Sequence, residues 1–312
     1  MLKIGIVGSL PYHIECIGFI IELFHKNDYI IDKEIEINIF IINDMFKYID
    51  YFLSLYPDSK INIYNLYERN IPNVYENNYI IKLTSNDPIV ENENIISILH
   101  AFHVKDISKK YITLSPLVTN QSVIPFSLEN ENAEITSDLN YIFPLYAGLI
   151  SRCNTNTITY IGWFQEDYLD DDLKKFILHS KYTFNFIVNN YDMACCKDYS
   201  NVNIFLNTDT PKMIDIILNS KFILARKLKY SCTDRFSGAL SLAISHKKPL
   251  IMNKYFSDIY DIPSIHFNED YCEALDQITS MSDYDYNDLL NKIEIFYDKQ
   301  NDYNKCKISN MI

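Results

Sequence analysis

The sequence predicts an α/β protein of two halves, each a parallel sheet covered by helices. Three observations predict it. The chain has 312 residues, against a prior of roughly 150 per domain. Near-continuous apolar runs of strand length alternate with segments of helical period, as expected for strands buried on both faces. This alternation occurs twice, on either side of a polar stretch from about residue 119 to 154.

In the first half, "KIGIVGS" reads as a buried strand and "IECIGFIIELFHKN" as a helix. "IEINIFIIN" is a second strand. "DMFKYIDYFLSLYP" is a helix with Asp44 as its expected cap and Pro57 closing it. "KINIYNL" and "NYIIKLTS" read as strands, "ENIISILHAFH" as a helix carrying His100 and His103, and "KYITLSP" as a strand. "TNQSVIPFSLENENAEITSDLN" is polar and has no clear period, so the boundary is placed near its end, giving domains 1–152 and 153–312. In the second half, "TITYIGWF" is a strand and "DDLKKFILHS" a helix. "YTFNFIVNN" and "VNIFLN" are strands, "PKMIDIILNS" a helix and "KFILAR" a strand. "SGALSLAIS" is a helix, "PLIM" and "IPSIHF" are strands, and "YNDLLNKIEIFYDKQ" is the last helix. The expectation is two Rossmann-like domains facing across a cleft, with ligands at the carboxyl ends of the strands.

Composition narrows the function. Lys plus Arg is 28 and Asp plus Glu is 41, a formal charge of −13. That acidic field argues against a nucleic-acid binder, which needs basic stripes. Seven cysteines at irregular spacing, with no CxxC, read as free thiols in a reducing compartment and not as a disulfide frame or zinc site. Pro11, His13 and Glu15 interrupt the first apolar run, so no signal peptide is expected. No uninterrupted apolar stretch reaches 18 residues, so no transmembrane helix is expected and the chain reads as cytoplasmic. The abundance of Ile, Asn, Lys and Tyr is that of an AT-rich genome, so many Asn and Tyr choices are expected to carry no chemical message.

The candidate binding stretch is "KFILARKLKYSCTDRFSGALSLAISHKKPLIM". A strand ends, a basic loop with Arg226, Lys227 and Lys229 follows, and a helix opens at Ser237 and Gly238. A helix start presents unpaired N–H groups and the positive dipole end, which suits an anion. Gly238 lets a phosphate approach the backbone, and Ser237 can cap or donate its hydroxyl. The plain alternative is an ordinary capping serine, a packing glycine and solvated lysines. A second constellation is "GSLPYHIE" after the first strand, where His13 suits a general base and Glu15 suits its orientation. The alternative there is a histidine that merely caps or packs. Trp163 follows a strand end and suits stacking on a sugar or base, or a core role. Asp170 and Asp172, at D-x-D spacing, are read as acids opening a helix rather than metal ligands.

The stretch from 220 to 252 resembles the nucleotide-sugar half of glycosyltransferases of the GT-B fold. Many of these have a small, Gly-containing helix start, an Ala-rich helix and a G-K-P turn into an apolar strand. Ser237 and Gly238 take the diphosphate-cradling place, and Lys248-Pro249 matches the K-P with Lys247 where Gly is usual. His13-Ile14 resembles the G-H-I of some inverting members, with Tyr12 in place of Gly. The resemblance implies transfer of a sugar from a nucleotide-diphosphate donor to a glycan, lipid or protein hydroxyl. It implies no metal and no cofactor beyond the co-substrate, and a last helix that crosses back to the first domain. The chain departs from the pattern at Leu242, where retaining members carry an acid that holds the ribose. That leaves Ser241 or Asp234 for the role. It departs again at "GWFQED", which lacks the basic pair of many members, so the charge falls to Arg226, Lys227 and Lys229 of the loop. Two alternatives stay open: a sugar-nucleotide epimerase on the same architecture, and a degenerate GT-B protein with a binding or scaffold role.

Overall fold

The structure, a computed structural model, describes residues 1–9, 15–30, 33–83, 93–99, 110–114, 141–151, 155–162, 168–188, 196, 199–225 and 238–312. The chain divides into two compact units. One contains Met1–Tyr146 and Gln300–Ile312, and the other holds the described residues from Ala147 to Lys299.

The first unit is built on a six-stranded sheet. Its strands are β1 (Leu2–Gly8), β2 (Ile35–Ile41), β3 (Lys60–Asn65), β4 (Tyr79–Lys82), β5 (Ile95–Leu99) and β6 (Lys110–Thr113). The order is β3-β2-β1-β4-β5-β6, and every pair is parallel. β1 sits near the centre, and its "LKIGIVG" is buried at every position but Lys3. Such a strand needs apolar side chains on both faces, which explains the continuous run. Helices α1 (Glu15–Phe24) and α2 (Asn43–Ser54) follow β1 and β2, as parallel neighbours require a crossover.

Two sequence readings are corrected in this unit. Residues 95–99 form β5 and not a helix; Ile95, Ile96 and Ile98 are fully buried between β4 and β6. A short apolar run does not distinguish the two states by period alone. Asp44 lies in the first turn of α2 and does not cap it; the cap position is Ile42, which makes no side-chain cap bond. Asparagines here do carry a structural message. Asn38 and Asn62 are register partners on β2 and β3, and the Asn62 amide donates to Asn38 Oδ1 at 2.9 Å. Asn38 Nδ2 in turn donates to Asn77 Oδ1 at 2.9 Å, so a chain of amides satisfies groups that are buried at Asn38 and Asn77.

The second unit repeats the plan. Its strands are β7 (Thr157–Ile161), β8 (Thr183–Val188), β9 (Val202–Leu206), β10 (Phe222–Leu224), β11 (Leu250–Asn253) and β12 (Ser264–Phe267). They run β12-β11-β10-β7-β8-β9, again all parallel. Numbered within its own sheet, each order is 3-2-1-4-5-6, so both units are Rossmann-like. The helices are α3 (Asp171–His179), α4 (Thr210–Leu218), α5 (Gly238–Ser245), α6 (Lys254–Tyr260), α7 (Tyr271–Ser280) and α8 (Asp283–Ser309). Neither α6 nor α7 was expected from the sequence. Asp170 and Asp209 cap α3 and α4 through bonds to the backbone of Leu173 and Lys212. Phe176, Phe184 and Phe222 fill the core against α7.

The last helix, α8, runs 27 residues, and its residues from Gln300 onward belong to the first unit. There Asn304, fully buried, donates to the Phe143 carbonyl at 2.7 Å, and Lys305 pairs with Glu22 of α1 at 3.0 Å. No helix among the described residues is long and apolar enough to cross a membrane.

Candidate functional site

In a doubly wound sheet the strand order reverses beside the first strand, and the crevice outside the carboxyl ends there takes the ligand. In the second unit that point lies between β7 and β10. β7 ends at Ile161 and runs into Gly162, and β10 ends at Leu224 and Ala225. Gly162 has φ +128°, a conformation that side chains rarely adopt, and a Cβ built on it meets nothing within 4 Å. Its N–H is held by the Ile187 carbonyl at 3.0 Å, so the bare backbone is fixed at this edge.

Helix α5 starts at Gly238, in the connection that returns from β10 to β11. Its "GALSLAIS" is buried from Ala239 to Ser245. A helix that is apolar and small all round is a core element, and here only its first residue is partly open. Ser241, the candidate for ribose recognition, is fully buried within α5, and Leu242 is buried beside it.

The far end of α5 is closed by the turn "SHKKP". Lys247 has φ +54°, its N–H bonds the Ile244 carbonyl at 3.0 Å, and the Lys248 N–H bonds the Ala243 carbonyl at 2.8 Å. This is a left-handed helix stop, which explains why glycine is usual at the place of Lys247. Lys248, 1 % exposed, sends its ammonium to the carbonyls of Ser151 at 2.8 Å and Leu218 at 2.7 Å. Leu218 is the last residue of α4, where an orphan carbonyl and the negative dipole end favour a cation. His246, fully buried, bonds the Leu149 carbonyl through Nδ1 at 2.8 Å. A carbonyl only accepts, so Nδ1 carries the proton. Burial pushes the His246 pKa down to about 4, with the Lys248 and Lys247 charges adding to the effect against the opposing Leu149 bond. Gly148 lies against the same turn: a Cβ there would stand 2.4 Å from the Ser245 carbonyl oxygen and 2.9 Å from His246 Nδ1.

In the first unit the corresponding reversal lies between β1 and β4. β1 delivers Gly8 and Ser9 to the edge, and β4 ends at Lys82, register partner of Val7 and 3 % exposed. Glu15 opens α1.

His13, Trp163, Arg226, Lys227, Lys229, Asp234 and Ser237 lie outside the described residues. Of the predicted site, the structure therefore places Gly238, Ser241 and the backbone of Glu15. Sequence reading overlooked Lys82, gave Lys248 only its place in the K-P match and gave His246 no role. The one signal for Lys82 is a lysine set inside an apolar strand.

Solved structures share this arrangement, three of them over nearly the whole of both chains. The protein HepE of Anabaena, in complex with UDP-glucose, matches with TM-score 0.57 at 10% identity, over 99% of this chain and 98% of its own. AviGT4, a glycosyltransferase involved in avilamycin A biosynthesis, matches with TM-score 0.57 at 9% identity, over 96% and 97%. Sucrose-phosphate synthase from Thermosynechococcus elongatus matches with TM-score 0.53 at 8% identity, over 95% of each chain. The chain has the GT-B fold. Within that fold, α5 follows β10 in the second unit and α1 follows β1 in the first. No family model matches the chain, and no curated protein matches its sequence.

Proposed function

We propose that the protein is a glycosyltransferase that moves a sugar from a nucleotide-diphosphate donor to a hydroxyl acceptor. One observation carries the reading: the GT-B fold extends over essentially the whole chain, and one protein sharing it holds UDP-glucose. The start of α5 at Gly238 beside the strand reversal supports the placement of the donor's diphosphate there. In this reading Ser237 and Gly238 cradle the diphosphate, and Arg226, Lys227 and Lys229 neutralise it as it departs. Asp234 holds the ribose, because Ser241 is fully buried within α5, and Trp163 stacks on base or sugar. His13 takes the acceptor's proton, with Glu15 orienting the ring. Side-chain cations serve in place of a metal.

The test is a titration with UDP, GDP and CDP, followed by a screen for sugar transfer. Saturable binding of one of the three is expected, weakened at least tenfold in Arg226→Ala/Lys227→Ala. His13→Ala should lower turnover and leave donor affinity intact; full turnover in that variant removes His13 from the mechanism. Buried Leu242, in place of the usual acid, favours a second reading: a GT-B protein that binds or scaffolds without catalysis. Nucleotide binding without transfer to any acceptor, or hydrolysis of any donor, would support it.

A further inference from the structure

The buried turn at the end of α5 is built more elaborately than a helix stop requires. Two basic side chains, two positions apart, reach backbone carbonyls of segments distant in sequence: Lys248 to Ser151 and Leu218, His246 to Leu149. Gly148 adds a close backbone approach, since any side chain there would strike the Ser245 carbonyl. The segment 147–151, the end of α4 and the end of α5 thus meet at one point inside the second unit.

We infer that Lys248 and His246 form a positioning clamp that fixes the axis of α5 and so holds Gly238 at the carboxyl edge of the sheet. What Gly238 receives rests on the proposed function. The clamp itself rests on the bonding. Most of the body of α5, at Ala239, Leu240, Leu242, Ala243 and Ile244, is buried through small and apolar side chains, whose contacts are non-directional. Hydrogen bonds from a buried ammonium are directional, and leaving them unmade is unfavourable enough to forbid sliding. An eight-residue helix is about 12 Å long, so a tilt of about 10° about one end moves the other by about 2 Å. A binding constellation tolerates about 0.5 Å. Neither residue touches the donor in this arrangement; both act through α5.

The experiment compares UDP affinity, by calorimetry at 20 °C, in the full-length wild type, Lys248→Met, His246→Leu and His246→Gln. Ile278→Ala serves as a control that destabilises the same unit through α7, where Ile278 is buried. Lys248→Met and His246→Leu should weaken UDP binding about tenfold. His246→Gln, which keeps an N–H donor, should stay within about twofold, as should Ile278→Ala. Wild-type affinity in both Lys248→Met and His246→Leu overturns the clamp, and so does equal weakening in Ile278→Ala. If Lys248→Met is not recovered folded, His246→Leu against His246→Gln decides. If the wild type itself binds no nucleotide, the proposed function falls, and hydrogen exchange of amides 239–245 decides the clamp separately. Those amides should exchange at least tenfold faster in His246→Leu, with α3 and α7 unchanged; no change, or a uniform rise, overturns it.

Discussion

Acidification should destabilise the second unit through His246. In the native state the ring is fully buried, neutral, and bonded to the Leu149 carbonyl, with a pKa of about 4. Unfolding returns it to water and to a pKa near 6.5. Between these values the unfolded chain binds the proton and the native one does not, so protonation favours unfolding. The stabilisation is complete above pH 6.5 and is lost as the pH falls toward 4. At about 1.4 kcal/mol per unit, the loss reaches roughly 3 kcal/mol, most of it by pH 4.5. Other groups titrate over the same range; burial lowers the His25 pKa as well. The measurement is therefore a difference. Urea unfolding of wild type and His246→Gln should be followed at pH 7.5, 6.5, 5.5 and 4.5. The stability gap between them should change by roughly 2 to 3 kcal/mol in favour of the variant across that span. A gap independent of pH would show that the imidazole titrates normally in the folded protein and would refute the account of its burial.

Three further outcomes are expected. Gly148→Ala should lose about 3 kcal/mol in chemical unfolding, because its Cβ meets the Ser245 backbone at 2.4 Å and not a yielding side-chain tip. Gly162→Ala should lose about 2 kcal/mol through backbone strain alone, since φ is +128° while the space before it is open; a crystal structure should show unmoved neighbours. Asn38→Ala should lose about 2 kcal/mol, read from the thermal midpoint, because Asn62 and Asn77 are each left without a partner amide.

Much of the fold was legible because its signals are local. A near-continuous apolar run announced β1, and helical period, with acids opening α3, announced α3 and α4. The reading of 93–103 as a helix failed because a five-residue strand paired on both sides is nearly as apolar as a buried helix turn. Strand order was not legible at all. Nothing in "TITYI" says that it lies between β10 and β8, since pairing joins residues far apart in the chain. Of the candidate site, the helix start at Gly238 was legible, since glycine opening a small-residue helix is a local mark.

The sequence by itself determined the class of fold, the repetition of the α/β plan and the start of α5 at Gly238, since period, capping and glycine placement act within a few residues. Only the tertiary structure decided what the basic residues of "SHKKP" do. Lys247 adopts a left-handed stop, His246 is held neutral in the core, and Lys248 ties α4 to the segment before β7. As letters they are a charged, solvated turn. Their roles depend on burial and on carbonyls contributed from about 30 and 97 positions away, and those meet only when the sheet has closed.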